Sequence, residues 1–428
     1  MPGYHVWTIG CQMNQAESER LGSHLTCRGY QETSDLASAD LVILNSCVVR
    51  QSAEARVLNK LDALKEIKRL KPELVLALTG CLVDSNLAEL KQRFPHVDHF
   101  FRAGENPPWL DDDDSWPVAP ARPAVTAYVP IIAGCNNFCT YCIVPYRRGR
   151  EKSRPLVEIT DEVRALVRGG AKEVILLGQN VDSYGNDLES GPDLSDLLSE
   201  LNNIEGLKRI RFLTNHPKDL NHRLIEAVAG LGKVCRQICL PVQAGSDQVL
   251  NNMRRGYTLA HYRELVSRIR RGIPGVALST DVIVGFPGET PAQFQQTLAL
   301  LSELKFDTVH LAAYSPRPGT ISWRELEDDV PPEEKQARLA EAEALQTLIA
   351  TEINAALGGE EVEVLVTGRK KGKWYGRTRS DKLVFFRDSG SYLGELVIVK
   401  VEKTSPWSLQ GRMETAIDRE QEEEYEKV

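Results

Sequence analysis

Cys135, Cys139 and Cys142 lie in the stretch Gly134-Cys135-Asn136-Asn137-Phe138-Cys139-Thr140-Tyr141-Cys142, spaced C-x3-C-x2-C. Three thiolates this close can hold three corners of a 4Fe–4S cube. The fourth iron then has no protein ligand nearby and stays open to a small molecule. An open metal position serves chemistry, whereas a closed one serves structure or electron transfer. The alternative is a zinc knot completed by a distant fourth ligand, but such sites usually come as two C-x2-C-like pairs.

A second trio is dispersed. Cys11, Cys47 and Cys81 each follow a short apolar run: His5 to Ile9, Leu41 to Asn45, and Leu74 to Leu78. Those runs read as parallel strands, with helix-like segments over about Asn14 to Cys27 and Ser52 to Leu70 between them. Near-continuous apolar strands alternating with helices predict a parallel sheet covered on both faces, a Rossmann-like arrangement. In such a sheet ligands bind beyond the strand C-termini, so the three thiols would converge on one rim. The competing reading is three buried cysteines acting as small apolar residues.

Further along, βα alternation resumes. Strands are expected at Tyr128–Ile132, Glu173–Leu177, Arg209–Leu213, Gln237–Leu240, Ala277–Val284 and Thr308–Ala313, each followed by a helix-like segment. Six units predict a partial (β/α)6 barrel, two short of a closed eight-stranded one. The C-x3-C-x2-C loop follows the first strand, at the end where barrels build active sites. Gly178-Gln179-Asn180, Leu240 to Asp247 and Val284 to Thr290 sit at later strand ends, where glycines admit a ligand close to the backbone. Tyr141, Gln179, Asn180, Gln243, Ser246 and Glu289 are the cofactor-binding candidates. No general acid or base is assigned. Arg147, Arg148, Arg150 and Lys152 could hold an anionic cofactor or could simply be solvated.

Segmentation follows composition. Residues 1–106 form the first domain and 107–126 a proline-rich linker with an acidic run. Residues 127–358 form the barrel domain, 359–415 a small all-β domain, and 416–428 an acidic tail. Between Arg369 and Arg387 stand eight Lys or Arg residues against the single acid Asp381, with Trp374, Tyr375, Phe385 and Phe386 interleaved. Basic residues suit phosphates and aromatic rings stack on unpaired bases, so Arg369, Lys370, Lys371, Lys373, Arg377 and Arg379 are the RNA-binding candidates. A solvated hairpin with aromatics in its core is the alternative.

The whole chain has 428 residues and a formal charge of −8, which does not mark it as a nucleic-acid binder overall. No apolar run reaches the length of a membrane span, and the N-terminus lacks a signal-peptide pattern, so a cytoplasmic protein is expected. Nine cysteines, an odd number, argue against a disulfide framework.

The C-x3-C-x2-C loop resembles the signature of the radical S-adenosylmethionine (SAM) superfamily. Together with Gly10-Cys11-Gln12-Met13-Asn14, Asn45-Ser46-Cys47 and Thr79-Gly80-Cys81, it makes the chain similar to the methylthiotransferases. Lys373-Trp374-Tyr375-Gly376-Arg377-Thr378 resembles the TRAM domain, a small β-barrel RNA-binding module. The resemblance implies two 4Fe–4S clusters, one on Cys135, Cys139 and Cys142 and one on Cys11, Cys47 and Cys81. The first would cleave SAM reductively to a 5′-deoxyadenosyl radical; the second would present the sulfur that is transferred. Cys27, Cys235 and Cys239 match no cluster position. Gly10 to Asn14 and Thr140 to Pro145 look like the branch acting on isopentenylated adenosine beside the tRNA anticodon. Other branches act on threonylcarbamoyl-adenosine or on an aspartate of a ribosomal protein. Implied partners are a tRNA anticodon stem-loop and an electron donor such as a flavodoxin or ferredoxin; a monomer without membrane contact is expected. A non-catalytic iron–sulfur RNA-binding protein and a radical SAM methylase without sulfur donation are the competing functions.

Overall fold

Thr8, Asn45 and Thr79 stand side by side in three neighbouring parallel strands, and this register brings the first-domain cysteine trio together. A computed structural model describes every residue except 49–50, 84–86, 106, 108, 110–122, 190 and 417–428. The proposed acidic tail apart from Ala416, and most of the proposed linker, therefore lie outside the described residues.

The first sheet comprises β1 (Gly3–Thr8), β2 (Gln31–Glu32), β3 (Leu41–Ser46), β4 (Val75–Gly80) and β5 (His99–Phe100), in the order β2-β1-β3-β4-β5. All its pairings are parallel. β3 is buried throughout because both faces are covered. On one face Tyr4, Ile43 and Phe101 pack with Leu21 and Leu25 of α1 (Gln12–Cys27). On the other, Leu44 and Leu78 pack with Val57 and Leu61 of α2 (Gln51–Leu70), and α3 (Leu87–Arg93) leads into the buried Phe94. β2 and β5 go beyond the expected strands, because two-residue strands carry no apolar pattern.

The second unit contains β6 (Thr126–Pro130), β7 (Ile132–Ala133), α4 (Val144–Arg147), β8 (Lys152–Ser153), α5 (Leu156–Gly169), β9 (Glu173–Leu177), α6 (Leu194–Asn202), β10 (Arg209–Phe212), α7 (His222–Gly230), β11 (Gln237–Cys239), α8 (Asp247–Asn252), α9 (Leu259–Gly272), β12 (Ala277–Val284), α10 (Pro291–Leu304) and β13 (Thr308–Ala313). β6, β9 and β10 form one parallel sheet; β11, β12 and β13 form another. The Cys235 amide donates to Ile210 O at 2.9 Å and Ile210 N to Lys233 O at 2.8 Å, which joins the two into one curved six-stranded arc. Among the described residues β6 and β13 do not pair, so the barrel is partial, as the count of six units implies. Helices cover its outer face over the largest apolar core. α10 starts at a Thr290–Gln293 capping box with Pro291 in its first turn.

α11 (Ile321–Glu325) and the long α12 (Pro332–Ala355) lead to a closed barrel of β14 (Glu361–Lys370), β15 (Lys373–Arg377), β16 (Leu383–Phe386), β17 (Leu396–Ser405) and β18 (Ser408–Ala416), ordered β14-β15-β16-β18-β17. Val364, Trp374, Phe386, Val399 and Leu409 fill it. The apolar runs of this domain predict strands at Glu361–Thr367, Leu383–Phe386 and Leu396–Lys403, so β15 and β18 both go beyond them: only Leu409 along β18 is buried, and its role is to close the sheet between β16 and β17.

Two arginines of β10 fasten this small barrel to the larger one. The fully buried Arg209 donates to Arg377 O at 2.5 Å and pairs with Glu363 at 2.6 Å. Arg211 donates to Thr378 O at 2.5 Å and Arg379 O at 3.1 Å, and Glu173 holds its other edge at 2.7 Å. Lys382 reaches Asp307 at 2.7 Å. Glu173, Arg209 and Asp307 lie at or just before strand starts, so the small barrel docks on the N-terminal end of the large one.

Candidate active site between two cysteine rims

The C-x3-C-x2-C loop is clamped at its base. β7 and β8 pair antiparallel, Ile132 opposite Ser153 and Ala133 opposite Lys152, so the chain leaves and returns through one short ladder. Gly134, at φ +79°, opens the loop; a Cβ there would meet Arg150 O at 2.0 Å, so no other residue fits without moving the backbone. Its amide donates to Gln179 Oε1 at 2.6 Å, which ties the first cysteine to the end of β9. Thr140 binds the end of α8 through its amide to Met253 O at 3.1 Å and its hydroxyl to Asn252 O at 2.9 Å.

Cys135 and Cys139 are buried and Cys142 is half-buried. Burial pushes the Cys142 thiol up to about 12, and the neighbouring Cys139 and Cys135 charges push the same way. Burial also raises Cys135, against hydrogen bonds from Asn137. Three thiolates in one poorly solvated loop would repel each other and need a cationic centre, and the donor set fits a three-cysteine 4Fe–4S site. Among the described residues, no three His, Cys, Asp or Glu side chains are drawn together as a cage for a single ion.

One cation already faces this loop, and it is absent from the residues the sequence singles out. Arg255 is buried; it donates to Cys139 Sγ at 3.2 Å and Pro241 O at 3.0 Å, and reaches the Tyr141 hydroxyl at 3.5 Å. Its burial opposes its charge, yet Tyr141, Tyr257 and Cys139 keep it well above the ordinary value for arginine. The only sequence signal for it is Arg254-Arg255-Gly256-Tyr257, a polar run after a short helix.

The other candidates spread around the strand ends. Asn136 binds both oxygens of Glu151, at 3.1 and 3.0 Å; Ser183 reaches Glu151 at 3.2 Å, and Asn180 donates to Ser183 and to Asp219, the latter at 2.7 Å. Beside this chain Asp182 accepts from Asn215 Nδ2 at 2.5 Å and from the His216 amide at 2.7 Å. Gln243 holds φ +75° and pairs through its backbone with β12. Ser246 is buried at the N-cap position of α8, with no capping hydrogen bond from its side chain. Glu289 is engaged elsewhere: its carboxylate accepts the Gly285 amide at 2.6 Å and pairs with Arg338 of α12 at 2.8 Å, bracing the loop against the helix.

The first sheet presents the second trio as its register requires. Ser46 lies opposite Gly80, so Cys47 and Cys81 follow at equivalent positions. The Cys81 amide donates to Ser46 O at 2.8 Å. Gly80, at φ +92°, allows this approach; a Cβ would sit 2.3 Å from Ser46 O. Cys11 is the N-cap of α1, and Asn14, one turn on, binds Asn45 Oδ1 at 2.9 Å and Ser46 O at 3.0 Å. Cys47 and Cys81 are buried and Cys11 is exposed.

The two rims meet. Cys81 and Val48 pack on Ile143, the residue after Cys142. Met13 and Ala16 of α1 lie against Tyr128, Ile175, Leu177 and Leu213 on the inner face of the arc. Arg148 and Glu17 form an inter-domain ion pair at 2.6 Å with both side chains largely buried. Arg317 and Glu54 form another at 3.3 Å. Burial raises the Cys81 thiol and Arg148 pulls it back. Arg148 is thus a partner of Glu17 and of the Cys81 thiol rather than a solvated residue.

The predicted RNA stretch divides in two. Arg369 lies over Trp374 at 5.2 Å, Lys370 and Lys371 are exposed at the β14–β15 turn, and Lys373 reaches Gln410 at 2.8 Å. Arg377 turns back to Asp381 at 3.2 Å. Arg379 binds Gly232 O and Val234 O on the large barrel, the latter at 2.8 Å, so it faces the domain joint. Among the remaining cysteines, Cys27 is exposed and Cys235 and Cys239 are buried.

Family models match three segments: the radical SAM superfamily over residues 129–301, the uncharacterized protein family UPF0004 over 3–102, and the TRAM domain over 356–413. A tRNA-2-methylthio-N(6)-dimethylallyladenosine synthase of Dehalococcoides mccartyi (strain CBDB1) is 54% identical over 413 residues, covering 96% of this chain and 99% of the relative. One of the same description from Chloroflexus aurantiacus is 49% identical, covering 95% and 91%. Among solved structures, a radical SAM methyltransferase of Kitasatospora setae with cobalamin and a [4Fe-4S] cluster bound gives a TM-score of 0.52 at 14% identity, covering 88% of this chain and 81% of that one, which is a likeness of fold.

Proposed function

The chain belongs to the tRNA-2-methylthio-N(6)-dimethylallyladenosine synthase family of radical SAM enzymes, and from that premise we propose how its residues divide the work. It is a tRNA methylthiotransferase that adds a methylthio group to C2 of N6-isopentenyladenosine beside the anticodon. Cys135, Cys139 and Cys142 hold the 4Fe–4S cluster and leave one position open for SAM. When bound, that pair supplies the carbon-centred radical chemistry that an unactivated C–H bond requires.

Around it, this chain's residues hold and shield. Gln179 fixes the start of the loop through the Gly134 amide. Arg255 offsets the negative charge gathered at Cys139. Tyr141, Asn180, Gln243 and Ser246 line the strand ends where SAM is bound. Met13 and Ala16 close the β6–β9–β10 half of the inner face to water. Among the described residues the other half stays open: Asp281 and His310 are partners in register on β12 and β13, His310 exposed, opposite in face to Val282 and Val309 in the core. The target base enters there.

Cys11, Cys47 and Cys81 are proposed to hold a second 4Fe–4S cluster, the source of the transferred sulfur. The observation that supports this reading is the shared buried cluster of Cys81, Val48 and Ile143, in which one member of the second trio packs beside the residue that follows Cys142. Lys370, Lys371, Lys373 and Arg369 bind the tRNA backbone from the small barrel. Arg379 acts on RNA only through the docking it secures.

The test is mass spectrometry of tRNA nucleosides from a strain that lacks methylthiolation, retains isopentenylation and expresses this chain. Appearance of 2-methylthio-isopentenyladenosine is expected. Methylthio-threonylcarbamoyl-adenosine alone would move the substrate to the neighbouring branch. Neither product from cluster-replete protein would overturn the reaction.

A further inference from the structure

The outer side of the C-x3-C-x2-C loop carries a patch that the proposed reaction does not use. Phe138, between Cys135 and Cys139, meets Tyr146 edge-on at 5.9 Å. The Arg150 guanidinium lies over Phe138 at 4.3 Å, and Arg324 of α11 over Tyr146 at 5.9 Å. Lys218 donates to Asn137 at 2.7 Å. α11 is docked on the loop itself, through the Ser322 amide to Thr140 O at 2.8 Å, and beside Ser322 it presents Trp323. Tyr146 is 41% and Trp323 51% exposed.

Large exposed aromatics gathered with arginine on a rigid base mark an interface rather than an ordinary surface. Arg150, Lys218 and Arg324 leave a modest positive excess: Lys218 lies 3.7 Å from Asp219, Glu325 is paired with Arg254 at 3.4 Å, and Glu151 is turned to Asn136. The patch leaves from the strand ends, whereas the RNA module docks on the strand starts, so the two lie at opposite ends of the large barrel.

We propose that this patch, centred on Phe138, Tyr146, Trp323 and Arg324 with Lys218 at its edge, docks an acidic one-electron-donor protein that reduces the cluster held by Cys135, Cys139 and Cys142. The proposal rests on the reductive radical SAM reading above. The donor loses one electron and the cluster gains it; no proton or group moves. Complementary charge steers the encounter, and the aromatic centre excludes water from the contact.

The experiment uses cluster-replete full-length protein and the charge reversals Arg324→Glu and Lys218→Glu, singly and together. 5′-Deoxyadenosine formation is measured with reduced flavodoxin, with reduced ferredoxin and with dithionite. The double variant is expected to lose about tenfold or more of the protein-driven rate at sub-saturating donor and low salt, with dithionite-driven rate and tRNA affinity unchanged. An undiminished protein-driven rate overturns the proposal. So does an equal loss with dithionite, which assigns the residues to the cluster, or a loss of tRNA affinity, which assigns the patch to RNA. A wild-type protein that turns over with dithionite but with neither donor protein also overturns it. Wild-type protein that fails with dithionite would instead refute the reaction on which the proposal rests.

Discussion

Breaking the Arg148–Glu17 pair should uncouple the two halves of the molecule. The charges stand 2.6 Å apart at the closest atoms, with side chains 7% and 15% exposed, so water screens them little. At an effective dielectric of about 20, charge centres roughly 4 Å apart attract by about 4 kcal/mol. Desolvation offsets most of this, so the intact pair is nearly neutral against an apolar substitute; removing one partner leaves a buried charge uncompensated, at about 3–5 kcal/mol. Arg148→Met and Glu17→Gln should each lower unfolding free energy by that order, and the double variant should recover at least about 2 kcal/mol of the summed loss. Denaturant unfolding of the three variants measures the cycle. Arg148 also pulls the Cys81 thiol down, so Arg148→Met should slow alkylation of Cys81 in cluster-free protein. With clusters in place, 5′-deoxyadenosine formation should persist while methylthiolation falls. Single variants within about 1 kcal/mol of wild type, or a strictly additive double variant, would refute the reasoning.

Three further expectations follow from the site. Desolvation raises Asp182 to about 7 and lowers His216 to about 2. Between about pH 4 and 6.5 the folded state thus keeps one proton on Asp182 and lacks one on His216 relative to the unfolded chain, and the two pH slopes cancel. Asp182→Asn should leave stability that falls as pH drops through this window; His216→Gln should leave stability that falls as pH rises through it towards 7. The slope in each case is about 1.4 kcal/mol per pH unit, read by denaturant titration at several pH values; two flat profiles would sink the assignment. Arg255→Met removes the cation at Cys139 Sγ and should lower the potential of the bound cluster by an amount on the order of 100 mV in a spectroscopic redox titration, while an unchanged or higher potential refutes its role. Replacing Lys370 and Lys371 by Ala should reduce the salt slope of tRNA binding by about one for each phosphate-binding cation removed, whereas Arg379→Ala should lower thermal stability and leave that slope intact; the reverse pattern would exchange their roles.

Sequence alone determined the chemistry and most of the scaffold. The spacing of Cys135, Cys139 and Cys142 is local, so it is legible without a fold. The placement of Cys11, Cys47 and Cys81 after apolar runs is nearly so, because strand ends of a parallel sheet share a rim whatever packs around them. β9, β12, β13 and β16 begin and end where their apolar runs do. Strands without such a signal, β2, β5, β15 and β18, go unpredicted from the sequence: they exist because neighbours pair with them.

Tertiary structure decided which charges do chemistry and which hold domains together. Arg147, Arg148, Arg150 and Lys152 read alike as a basic run, yet Arg148 is sequestered by Glu17, 131 residues earlier in the chain. Arg379 belongs to the same basic stretch as Lys370 and points instead at the large barrel. Arg255, which carries no cysteine-like spacing, reaches Cys139 because α8 ends beside the loop. The physical reason is common to all three. A side chain's type sets what it can bind, but the partner and the dielectric around it are supplied by segments distant in sequence, and only folding brings those segments together.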